Sequence, residues 1–209
     1  MLTLVLVLSA IAEEASWASE AYLRPQGGVS AWAGTGGGTS TALNVGAVAG
    51  MYYWQNESRS PILQGQARAS GAKVFGSGVT GTDLHIGNFI GPSWSSLMLQ
   101  TGPDFFWNEY QFGATTLAPT LGLGWPLTAS TGLGAVSVNA GVEPAWFISS
   151  QRPSVDWDSQ SVPGFGDEFT YTVGGGVSID PARLSLSYRY TVTAFGAQKG
   201  LGVGLKIGR

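Results

Sequence analysis

His85 is the single histidine of the chain, and Asp83 stands two residues before it in TDLHIGNF. Side chains two apart on a strand share a face. The pair could therefore set a carboxylate beside an imidazole and make it a general base. Catalysis would also need a nucleophile or a second carboxylate from a neighbouring strand, and nothing in the sequence supplies one. The plainer reading is a polar residue hydrogen-bonded to its neighbour. One histidine and no cysteine leave no expected metal site, and no cofactor is implied.

The other residues with chemical potential are charges. Arg68, Asp83, Glu143, Arg189 and Lys206 fall on the polar side of alternating segments. If that side is enclosed, charges there are costly unless paired or wet. Arg189 is expected to pair with a lumenal carboxylate, Glu143 being the first choice. The stretch SVDWDSQSVPGFGDE carries Asp156, Asp158, Asp167 and Glu168, whose oxygens suit calcium. It lacks the spacing of an EF-hand, and reads as a solvated acidic loop. GTGGGTST lacks the Gly-Lys-Ser/Thr ending of a phosphate loop and reads as a turn.

Positioning these residues falls to strands. In RLSLSYRYTVT, Leu184, Leu186, Tyr188, Tyr190 and Val192 alternate with Ser185, Ser187, Arg189, Thr191 and Thr193. The same two-residue period recurs over segments of roughly ten residues separated by Gly, Pro, Asn and Asp, as transmembrane strands require. The segments are 22–34, 42–54, 62–71, 82–91, 93–101, 115–125, 134–148, 168–179, 183–193 and 200–208. They predict a single closed antiparallel up-and-down barrel of ten strands, with eight as the alternative. Connections near 35–41, 72–81, 102–109, 149–167 and 194–199 fall on one side and are on the whole longer. Those near 55–61, 92, 126–133 and 180–182 fall on the other. Pro119 and Pro144 sit inside predicted strands, where each removes a ladder donor, so either bulges or strand ends are expected there.

Composition decides which face meets water. Charged residues make up 11% of the chain, against roughly 25% in an ordinary soluble domain. The polar face is Gly, Ser, Thr, Asn and Gln, which suits a crowded wet lumen better than an open surface. Aromatic residues gather towards segment ends, and Tyr53, Trp54, Trp125, Trp146, Phe169, Tyr171, Tyr188 and Tyr190 are expected to form interfacial girdles. The net charge of −3 offers no basic field for nucleic acid. Leu2 to Ala12 is an apolar run of signal-peptide length ending in Ala10-Ile11-Ala12, so residues 1–12 read as a cleaved leader, with Ala18 the second cleavage choice. No stretch is long and apolar enough for a membrane helix.

From about residue 22 to 209, this pattern resembles the small outer-membrane β-barrels of Gram-negative bacteria, the OmpA-like and OmpX-like class. The chain departs from many of them in ending Ile207-Gly208-Arg209 rather than in an aromatic residue. The resemblance implies an outer-membrane location, a lipid bilayer as the main partner, and the outer-membrane assembly machinery during biogenesis. It leaves the oligomeric state open. The expected role is envelope structure or passage of small solutes, without catalysis. One alternative is a barrel enzyme that modifies lipid or cleaves peptide around His85 and Asp83. Another is a secreted soluble β-protein that binds a ligand.

Overall fold

A computed structural model describes residues 17–34, 39–55, 62–76, 79–94, 96–117, 119–149, 166–179, 182–193 and 196–207. The expected leader at 1–12 and most of the acidic loop, including Asp156 and Asp158, lie outside the described residues. The first strand starts at Trp17, ahead of the expected residue 22.

The described chain is all β. Its ladder segments are β1 (Trp17–Gly34), β2 (Thr39–Gln55), β3 (Leu63–Gly76), β4 (Val79–Trp94), β5 (Leu97–Thr101), β6 (Asp104–Phe112) and β7 (Thr115–Thr116). They continue as β8 (Thr120–Gly124), β9 (Leu127–Leu133), β10 (Val136–Ser149), β11 (Glu168–Ile179), β12 (Ala182–Thr193) and β13 (Gly196–Ile207). Each pairs antiparallel with its neighbours, and β13 returns to β1 through Gly27↔Ile207 to Gly34↔Gly200, so the sheet closes on itself. Segments β5 and β6 form one stave and β7, β8 and β9 another, which gives the ten-stranded up-and-down barrel.

Prolines account for the broken staves. Pro103 parts β5 from β6, Pro119 parts β7 from β8, and Pro126 parts β8 from β9. Proline has no N–H to give the ladder. At the last break Pro126 lies across from the proline-bearing part of β10, where Trp125 donates its backbone N–H to the Pro144 carbonyl. The expected bulge near Pro144 falls slightly later, as a register shift between Phe147 and Ser149 against β8.

Several connections differ from the sequence expectation: most of 72–81 lies in β3 and β4, 92 lies within β4, and 196–199 lie in β13. Residues 102–109 and 126–133 belong largely to staves, and the turns lie at Gly113-Ala114 and Gly134-Ala135. Both glycines have positive φ, 58° and 62°, the left-handed conformation that two-residue hairpins demand. The predicted contrast between long and short sides correspondingly shrinks. At the end opposite the termini only the connection from β10 to β11 is long.

Residues paired across the ladder share a face, so register sorts every side chain. Leu23, Val45, Ile86, Val138, Val173, Leu186 and Val203 point outward and are between 51% and 71% exposed. Among the described residues no large side chain is fully buried, although the inward Val48, Phe89 and Phe106 are 7–9% exposed. Strand-making residues are therefore arranged inside out, with their aliphatic face on the exterior.

Candidate functional site

The inner wall is where the chemistry collects. On β4, register turns Asp83 and His85 inward. Across from them on β6, Asn108 and Phe106 turn inward too, and Asp104 lies opposite Gly87. Asp104 is 3% exposed, the most enclosed charge among the described residues. Its Oδ2 accepts from Arg68 Nη2 of β3 at 3.2 Å and lies 3.1 Å from His85 Nδ1. The Arg68 guanidinium also stacks 5.0 Å over the Phe89 ring. A buried carboxylate needs such company, because an unpaired one costs several kcal/mol of desolvation.

Glycines make room for this cluster. A Cβ at Gly87 would strike the Phe89 ring and Asp104, one at Gly122 the Phe106 ring, and one at Gly124 the Glu143 carboxylate. Glu143, on β10, thereby lies in the electrostatic neighbourhood of Asp104, His85, Arg68 and Arg189. Nearer the end that carries the termini, Gln66 donates to Gln100 at 3.0 Å and Gln64 to the Tyr22 hydroxyl at 2.5 Å. Tyr22 stacks on Tyr52 at 4.8 Å, and Arg24 covers Tyr22.

The wall formed by β12 and β13 is different in kind. Lys206 faces Arg183 across the ladder, and Arg183 Nη2 donates to Ser137 Oγ at 2.6 Å. Arg189 faces Gly200 and lies 4.9 Å over the Trp32 ring of β1. Trp32 itself lies flat over Gly202, where an added Cβ would meet the indole at 2.7 Å. Glycine and serine keep this wall low, so its cations rest against it instead of filling the lumen.

Several expected contacts differ. His85 is joined to Asp104, which comes from β6, and not to Asp83, whose Oδ1 has no hydrogen-bond partner. It bonds Asp104 rather than Ser70, its directly paired neighbour on β3. Arg189 points inward as expected, but its contact is the Trp32 ring. Between it and Glu143 stands β11, whose Thr172 pairs with Arg189 and whose Thr170 pairs with Glu143. Residues that sequence reasoning passed over include Asp104, Trp32 and Arg183. Asp104 sits in GPDFFWNEY, where Asp104, Phe106 and Asn108 alternate with Phe105 and Trp107. That alternation was the available signal, hidden by reading the stretch as a loop.

The aromatic girdle is narrower than expected. Phe169, Tyr171 and Tyr190 form an outward chain of rings, with centroids 4.9 Å and 6.0 Å apart, near the end of the long connection. Trp146 and Tyr188 are outward on the flanking strands. Tyr53 is outward near the opposite end, whereas Trp54 shares the inward face with Tyr52. Trp125 is exposed but sits mid-stave, donating to Thr101 Oγ1 at 3.1 Å. Its place is the break between β8 and β9, not a rim.

No protein-family model matches the chain, and no curated protein does. Solved structures of similar shape include the translocator domain of the autotransporter NalP from Neisseria meningitidis, at 13% identity, covering 98% of this chain and 93% of that one, with a TM-score of 0.47. The KdgM porin in complex with disordered oligogalacturonate is 9% identical, covering 87% and 98%, with a TM-score of 0.45. The NanC porin is 8% identical, covering 89% and 99%, also at 0.45. The barrel itself is established by its own closed ladder.

Proposed function

We propose that this chain is an outer-membrane β-barrel that gives small solutes a water-filled path, a small barrel in the manner of the OmpA-like and OmpX-like class. The observation that carries the reading is the inversion of the wall. Leu184 and Leu186 are 56% and 59% exposed on the outside, while Ser185, Ser187 and the charged residues line the inside. An exposed apolar surface running round a whole molecule is untenable in water, where even patches of a few hundred Å² are uncommon. It is the surface a bilayer requires, and a closed barrel leaves no unpaired strand edge in the hydrocarbon.

Passage rather than plugging is supported by the state of the inner side chains. Arg68 and His85 keep 40% and 37% side-chain exposure although they face the lumen. Water reaches them. Catalysis is not assigned, because the Asp104 carboxylate beside His85 is itself the buried charge and is held by Arg68 as well. The bilayer is the partner in this reading, and assembly machinery would act before it.

Purified protein reconstituted in planar lipid bilayers tests the proposal. Discrete ohmic conductance steps are expected. A folded barrel that passes no current would remove the pore role while leaving the membrane fold intact.

A further inference from the structure

Lumenal charge is divided both by wall and by exposure. Register turns Arg24 of β1, Arg183 and Arg189 of β12, and Lys206 of β13 inward, and each is exposed. The inward carboxylates of the facing strands are withdrawn. Asp104 is buried under Arg68 and His85, and Asp83 and Glu143 are only partly exposed, as is Glu168 on β11. Glu20 is exposed, but it lies near the terminal end of β1 opposite Tyr52. Water inside the barrel therefore meets cations before it meets anions.

The direct contacts of three of these cations are neutral, although Arg189 also lies in the electrostatic neighbourhood of Glu143. Arg183 is held by the Ser137 hydroxyl, Arg189 by the Trp32 ring, and Arg24 by the Tyr22 ring. Lys206 lies in the electrostatic neighbourhood of two further cations, Arg183 and Arg68. Like charges so close repel, and an anion passing between them relieves the repulsion. Register turns the glycines at positions 174, 176, 200, 202 and 204 inward on the same walls, where the Trp32 ring lies over Gly202 and the Arg183 side chain over Gly176.

We infer that the lumen selects small anions, chloride, phosphate and short carboxylates among them, with Lys206, Arg183 and Arg189 as a cationic track along β12 and β13. The inference rests on the pore reading above and gives it a solute class. It runs against the net charge of the chain, −3, which on its own would favour cations.

The test is the reversal potential of the reconstituted protein in a potassium chloride gradient. Potassium and chloride have similar mobility in water, so its sign reports the wall's preference. A chloride-to-potassium permeability ratio above one is expected. In the combined variant Arg183→Gln, Arg189→Gln, Lys206→Gln that ratio should fall at least about twofold. The single variants Arg189→Gln and Lys206→Gln should each move it in the same direction. Lys199→Gln, which removes an outward cation lying over Tyr190, should leave it unchanged. Inorganic phosphate should reduce the chloride current of the unmodified protein more than that of the combined variant. A conducting barrel with a ratio at or below one, or with a ratio indifferent to the track variants, overturns the anion inference alone. A folded barrel without current overturns the pore reading and the inference with it.

Discussion

Asp104 shows how a single enclosed residue organises its surroundings. Its carboxylate is almost wholly buried, whereas its partner Arg68 keeps 40% side-chain exposure. Removing either partner breaks the same contact but leaves different remnants. Arg68→Ala leaves a buried anion held by His85 alone, while Asp104→Ala leaves two side chains that lumenal water can solvate. Arg68→Ala should therefore cost about 1–3 kcal/mol, and Asp104→Ala clearly less, the asymmetry of an orphaned buried group. Urea titration of both variants in the same detergent checks the order, and equal losses would count against it. The importance of Asp104 was only half legible in the sequence. His85 announced itself by being unique, but its partner came from another strand, and pairing across strands is set by register that no local pattern reveals.

At the scale of elements, alternation carried most of the information. The segments 42–54, 134–148, 168–179 and 183–193 correspond closely to β2, β10, β11 and β12, because each has an unbroken two-residue period. The stave made of β5 and β6 was cut short because Gly102-Pro103 looks like a loop, and proline does interrupt the ladder there without ending the stave. The turn Gly134-Ala135 was misplaced for the opposite reason. Two residues suffice when the first is a glycine at φ 62°, and no cluster of turn residues marks them. Gly134→Val should accordingly destabilise the hairpin of β9 and β10 by about 1–2 kcal/mol, because a β-branched residue resists positive φ. Ala135→Ser should be close to neutral. Refolding yield into lipid vesicles, read by unboiled gel mobility, distinguishes the two.

Across the whole molecule, the inversion of polarity explains the composition. With an apolar exterior and an enclosed lumen, little surface is left for Lys and Glu, and 11% charge suffices. Closure through β1 and β13 ties the two ends of the chain into one hydrogen-bonded ring. Such a ring should resist detergent until heated, so the unboiled protein is expected to migrate differently from the boiled one on a gel. The same migration in both states would mean that no closed barrel survives in detergent.

The orientation of the wall is open to direct measurement because the chain has no cysteine. Single cysteines at Leu184, Ser185, Leu186 and Ser187 can each carry a nitroxide in the reconstituted protein. Positions 184 and 186 should be accessible to oxygen dissolved in the bilayer, and positions 185 and 187 to a water-soluble nickel relaxant. The reverse alternation, or four labels that all meet water, would contradict a barrel that turns its leucines to lipid and its serines to a wet lumen.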